Sequence, residues 1–127
     1  MTTPIFILSS GRSGTQMMEK LFSSFEDIEV HHEYLCNIIQ PLGTKYFMGL
    51  INDEEVDKII ENTYGSAINL SQKSLWMDSS NKLSWIGEPL IRRFPNAKFI
   101  HMVRDGRRVV SSYFNKLFAE CYDDYST

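Results

Sequence analysis

Twice in this chain a short apolar run passes directly into a glycine-containing turn and then into a helix-like stretch, and this pattern restricts the fold more than any other feature. Ile5 to Leu8 is β-branched and aromatic, bounded by Pro4 and by Ser9-Ser10-Gly11, and reads as a buried strand. Thr15 to Phe25 then places Met17, Met18, Leu21, Phe22 and Phe25 at helical spacing. The second instance runs from Lys98 to Val103, entered from Phe94-Pro95-Asn96 and left through Asp105-Gly106, with a long helix predicted from about Arg107 to Ala119.

Between these two units, Ile28 to His32 and Leu75 to Asp78 read as further strands. Asn52 followed by Glu55 forms a capping-box-like start for a helix through Val56, Ile59, Ile60 and Tyr64. Leu83, Ile86, Leu90 and Ile91 suggest another helix, with Pro89 starting or kinking its second half. The stretch between His32 and Asn52 has no clear assignment. Alternating strands and helices imply an α/β fold with a central parallel sheet flanked by helices in three layers.

The 127 residues are the size of one domain, and 43% hydrophobic with 13% aromatic content is ample for a core. A single unit over residues 1–127 is therefore expected. No apolar run approaches the roughly 18 residues of a membrane span, and no signal-peptide pattern opens the chain, so a soluble, cytoplasmic protein is expected. Cys36 and Cys121 stand far apart with no CxxC spacing and no companion cluster, so both are expected to be reduced and structural, with no metal site. The charge is uneven. Residues 1–91 carry 6 basic and 12 acidic side chains, whereas residues 92–116 carry 7 basic and 1 acidic. A local basic segment in a chain of net charge -3 points to a discrete anionic ligand rather than to nucleic acid, which usually needs a broad positive face. A solvated basic helix is the alternative.

Both turns have the chemistry of anion sites. In Ser9-Ser10-Gly11-Arg12-Ser13-Gly14-Thr15-Gln16 the glycines permit positive φ and close approach, the helix-start amides point at a ligand, Arg12 adds charge and Thr15 a hydroxyl. GxxxxGK[ST] is absent, so the triphosphatase loop and its magnesium are not expected. In Arg104-Asp105-Gly106-Arg107-Arg108, Arg104 suits bidentate contact with a phosphate, and Ser112 lies two helical turns further on as a donor. The alternatives are an Arg104–Asp105 ion pair and a packing role for Ser112.

Taken together, the two turns resemble the nucleotide-binding signatures of the sulfotransferases, enzymes that use 3'-phosphoadenosine 5'-phosphosulfate. The Arg12-Ser13-Gly14-Thr15 turn is similar to the family's 5'-phosphosulfate loop in its arginine form. FPNAKFIHMVRDGRRVVSS, from Phe94 to Ser112, is similar to its 3'-phosphate segment, above all in the tyrosylprotein sulfotransferases. The resemblance implies a P-loop-like fold, Arg104 and Ser112 on the 3'-phosphate, and Arg12, Ser13, Gly14, Thr15 and Gln16 around the 5'-phosphosulfate. It implies the phosphosulfate as donor without a metal, adenosine 3',5'-bisphosphate as product, and an acceptor hydroxyl or amine on peptide tyrosine, carbohydrate, lipid or a small alcohol. Domains of this family generally continue well past the 3'-phosphate helix, so this chain reads as short of a full domain.

Sulfuryl transfer needs a cationic clamp and a base. Arg12 with the helix-start amides is the clamp. His31, His32 and Glu33 at the end of the second strand are the candidate bases, or else a polar strand end facing water. By the resemblance Glu33 takes that role, with His32 as competitor because an imidazole titrates near neutrality. At the position of a lysine in the tyrosylprotein enzymes this chain has about Ser79, with Lys82 as a substitute. His101 is expected to be a hydrogen-bonded core histidine. Asp53-Glu54-Glu55 reads as a helix start opposing the helix dipole. The six methionines and Trp76, Trp85, Tyr113 and Phe114 are expected mostly in the core, with some of them lining the adenine or acceptor pocket. A non-catalytic nucleotide-binding module and a small kinase or nucleoside triphosphatase are the rival functions.

Overall fold

The computed structural model describes residues 1–10 and 14–125, and for residues 117–125 it gives the course of the backbone. Strands β1 (Thr3–Leu8), β2 (Ile28–His32), β3 (Leu75–Ser79) and β4 (Lys98–His101) form one parallel sheet in the order β2-β3-β1-β4. Among the described residues six α-helices accompany them: α1 (Thr15–Phe22), α2 (Cys36–Phe47), α3 (Asp53–Ile60), α4 (Ser66–Leu70), α5 (Gly87–Arg93) and α6 (Gly106–Tyr125). A π turn over Glu61–Gly65 joins α3 to α4, and a 3-10 segment, Asn81–Ile86, leads into α5. All four strands fall where the alternating pattern puts them, and the α/β, P-loop-like three-layer architecture is the one expected.

Strand alternation assigns the layers. Phe6 and Trp76 lie on one face of the sheet with Phe99, and there they meet Val56, Ile60, Tyr64, Leu83, Ile86 and Leu90, all fully buried apart from half-buried Phe99. The Phe6 ring lies 5.6 Å from Tyr64, 5.8 Å from Phe94 and 5.6 Å from Phe99. Truncating such a residue to alanine costs about 3–5 kcal/mol through lost burial and the cavity left behind. On the other face Ile7 and Met77 are buried, and α1 packs over β2 and β3.

Local chemistry explains the boundaries. Asn52 Oδ1 accepts from the Glu55 amide at 2.9 Å, capping α3 as its sequence predicts. Asp53 accepts from Tyr46 Oη at 2.7 Å and pairs with Arg92, so that carboxylate serves structure. α1 stops at Phe22, short of the expected Phe25, because the Ser23 and Ser24 hydroxyls turn back onto the Glu19 and Leu21 carbonyls. The apolar pattern from Leu83 to Ile91 splits in two, since Ser80 caps the 3-10 segment through the Lys82 amide and α5 begins separately. Pro89 sits in the first turn of α5, where no amide is needed.

Several core expectations are corrected. His101 lies exposed on the edge strand β4 rather than in the core. Trp85 is about half exposed and Phe114 largely exposed, because each sits on an outer-layer element, with Trp85 edge-on against Phe47 at 4.7 Å, while Tyr113 lines a cleft at the carboxyl ends of the strands. Of the methionines Met77 is fully buried, while Met17 and Met48 face outward.

Candidate functional site

β1 and β4 pair from Ile5↔Lys98 to Leu8↔His101, and the Met102 amide extends the ladder by donating to the Leu8 carbonyl at 2.9 Å. The two turns therefore leave neighbouring strands, roughly 5 Å apart at their roots. They open on one cleft of about 580 Å³ at the carboxyl ends of the strands, the edge where parallel α/β sheets bind ligands. Gly14, Thr15 and Gln16 line it from the first corner, Arg104 and Ser112 from the second. Arg12 and Ser13, expected at the 5'-phosphosulfate, lie with Gly11 outside the described residues.

The corners are built differently. α1 starts at Gly14 with φ 98°, a left-handed conformation natural to glycine, and among the described residues no side-chain hydrogen bond caps it. A Cβ there would also come within 3.3 Å of Met102 Cε. Gly14 has no side chain with which to bond the first amides of α1. α6 carries its own cap: Asp105 Oδ1 accepts from the Arg107 amide at 2.9 Å, and the Asp105 carbonyl accepts from the Arg108 and Val109 amides. The Arg107 guanidinium reaches the same carboxylate at 3.0 Å, and these bonds hold the Asp105 carboxyl below its ordinary range. Asp105 accordingly pairs with Arg107, and Arg104 lines the cleft.

The third wall is the end of β2. His32 and Glu33 both line the cleft. Among the described residues Glu33 and Leu35 are the non-glycine residues with positive φ, 53° and 48°, conformations that cost about 1–2 kcal/mol each and persist only where the surroundings enforce them. The enforcement comes from the end of β3. The Ser79 carbonyl accepts from the Glu33 amide at 3.1 Å, and Asp78 Oδ1 accepts from the Tyr34 amide at 3.1 Å. Asp78 is fully buried, also accepts from Tyr64 Oη at 2.9 Å, and loss of solvent pushes its carboxyl up to about 6. On the opposite face of β3, Ser79 Oγ donates to the Thr15 carbonyl at 2.9 Å and lies 3.2 Å from His32 Nδ1.

Sequence reasoning missed part of the lining. Lys20 and Lys116 join the cleft one helical turn beyond Gln16 and Ser112, and an i, i+4 search from those residues finds both. Lys82, weighed as a substitute lysine, lines it from the 3-10 segment with Asn81. The cleft thus gathers Lys20, Lys82, Arg104 and Lys116 against Glu33, a balance suited to a multiply charged anion. Beneath the first corner, buried Ser9 Oγ has no hydrogen-bond partner among the described residues. His31 instead turns toward Glu29 at 3.0 Å and stacks 5.0 Å from Trp76, away from the cleft lining. At the opposite rim a cavity of about 500 Å³ has its cations engaged: Lys73 donates to the Glu26 carbonyl and Arg93 pairs with Glu61. Among the described residues no His/Cys/Asp/Glu group is placed to hold a metal, and no helix is long and apolar enough to cross a membrane.

No curated protein matches the chain at a significant level. The family model described as "Sulfotransferase family" matches residues 48–127, more than half of the chain, and spans β3, β4, Arg104 and Ser112. The match covers most of the parallel sheet and more than half of the chain, and the chain belongs to the sulfotransferase family.

Proposed function

We propose that residues 1–127 act as one nucleotide-binding domain that takes 3'-phosphoadenosine 5'-phosphosulfate and passes its sulfuryl group to an acceptor hydroxyl or amine, releasing adenosine 3',5'-bisphosphate. The observation that carries this reading is the meeting of Gly14–Gln16 with Arg104 and Ser112 on one cleft. Arg104 and Ser112 hold the 3'-phosphate. The first amides of α1 with Thr15 and Gln16, joined by Arg12 and Ser13, hold the 5'-phosphosulfate. The donor supplies a sulfuryl group already attached to a stable leaving phosphate. Arg12, the α1 amides, Lys20 and Lys82 stabilise the charge that builds on that phosphate as its bond to sulfur breaks. The acceptor's proton goes to the end of β2, to Glu33 or His32. Peptide tyrosine, carbohydrate, lipid and small alcohols are the acceptor classes, and the cations of the cleft do the charge work without a required metal.

Turnover of labelled donor over a panel of these acceptors tests the reading, with and without magnesium. We expect transfer independent of magnesium and a loss of roughly a hundredfold or more when the base among Glu33→Gln and His32→Gln is removed. Bisphosphate binding with no transfer to any acceptor identifies a non-catalytic nucleotide module instead. Tighter binding of ATP with magnesium than of the bisphosphate overturns the donor assignment.

A further inference from the structure

We propose that Ser79 is a positioning residue that holds the His32 imidazole as its Nδ1–H tautomer, so that His32 Nε2 is the proton acceptor of the cleft; the inference rests on the sulfuryl-transfer reading above and selects between its two candidate bases. Ser79 Oγ has one proton, and its neighbour at 2.9 Å, the Thr15 carbonyl, can only accept. That proton is therefore committed. The contact between Ser79 Oγ and His32 Nδ1 at 3.2 Å is then a hydrogen bond only if the ring donates. In neutral imidazole a proton on Nδ1 leaves the lone pair on Nε2, the reverse of the tautomer a free histidine side chain prefers.

The site supports this arrangement from every side. Ser79 is fully buried at the end of β3, and His32 is partly buried opposite it in the sheet register. The charged groups that share the cleft with the ring are Glu33, the next residue, Lys20, Lys82, Arg104 and Lys116, and Asp78 lies on the far face of β3. In the transfer step the acceptor oxygen bonds to sulfur, the bond from sulfur to the 5'-phosphate breaks with its electron pair leaving on the bisphosphate, and the acceptor's proton moves to Nε2. The resulting imidazolium keeps its Nδ1–H bond to Ser79, so nothing need reorganise. Because Thr15 opens α1, the same hydroxyl ties the phosphosulfate corner to the base.

Long-range proton–nitrogen correlation spectra of ¹⁵N-labelled protein, recorded without nucleotide above the imidazole titration, read the tautomer directly. With three histidines in the chain, His32→Gln assigns the signals. We expect a lone-pair shift at Nε2 in wild type, reversion toward Nε2–H in Ser79→Ala, and retention of Nδ1–H in Ser79→Thr. Turnover should fall about tenfold in kcat in Ser79→Ala with little change in KM for the donor, recover in Ser79→Thr, and fall no further when Ser79→Ala is added to His32→Gln. A lone pair on Nδ1 in wild type overturns the proposal even if Ser79→Ala fails to fold, as do an unchanged tautomer in Ser79→Ala and losses that multiply. Since the spectra need no substrate, a wild type that transfers nothing counts against the sulfuryl-transfer reading and leaves the tautomer result to be judged by itself.

Discussion

The β1–α1 and β4–α6 corners share one sequence grammar, an apolar strand followed by a glycine turn and a helix, yet they offer an anion different things. The first presents backbone: Gly14 takes a left-handed conformation and, among the described residues, no side chain closes the start of α1. The second presents side chains, because Asp105 occupies the start of α6 and leaves Arg104 and Ser112 to face the cleft. A helix N-terminus is thus not automatically an anion site; whether its own cap residue uses the amides decides it. The β2–α2 corner differs from both. It has neither glycine nor side-chain helix cap, and buried Ser79 and Asp78 hold the amides of strained Glu33 and its neighbour Tyr34.

The largest effect that separates these corners is expected at Asp78. Its carboxyl rises from an ordinary 3.8 to about 6 on burial, so between those values the folded state binds the proton more tightly than the unfolded chain does. The native state is favoured at the acid end of that window, and stability declines as pH rises through it, by about 3 kcal/mol at ~1.4 kcal/mol per pH unit. In Asp78→Asn chemical denaturation between pH 4 and pH 7 should lose most of that slope; an unchanged slope would show that the third corner is not held by a buried acid. Next comes Gly14→Ala, which forces a left-handed alanine against Met102. It should cost about 1–2 kcal/mol in the melting transition and weaken 5'-phosphate binding while sparing the 3' side. The smallest effect belongs to Asp105→Ala. Loss of the α6 cap costs around 1 kcal/mol, and bisphosphate affinity should hardly change, since the second corner binds through side chains. A large loss of affinity there would make the two corners alike.

Much of this was legible because strand patterning and turn glycines are local signals. Ile28–His32 and the Asn52 cap appear where the residues place them, and the register that brings Leu8 beside His101 follows from a parallel pairing of the two runs. α2 was not legible: Pro41 lies inside the helix, and Gly43 earns its place by letting Trp85 Cβ approach to 3.0 Å of a Cβ position, a contact across 42 residues. The outward turn of Trp85, Phe114 and His101 was equally hidden, since apolar periodicity does not say which layer a face meets. At the cleft, Thr15, Gln16, His32, Glu33, Arg104 and Ser112 were found from motifs. Asp78 and Ser79 were not assigned their supporting work, because that work depends on hydrogen bonds to residues 44 to 64 positions away in the chain.

Titration calorimetry of wild type and Arg104→Ala with adenosine 3',5'-bisphosphate and with adenosine 5'-phosphate tests most directly whether both corners hold one nucleotide. The account predicts that wild type binds the bisphosphate at least tenfold more tightly than the 5'-phosphate, and that Arg104→Ala removes this advantage, a loss of roughly 1.5–3 kcal/mol, while leaving the 5'-phosphate affinity unchanged. Equal affinity of wild type for the two nucleotides, or an equal loss of both in Arg104→Ala, would contradict it.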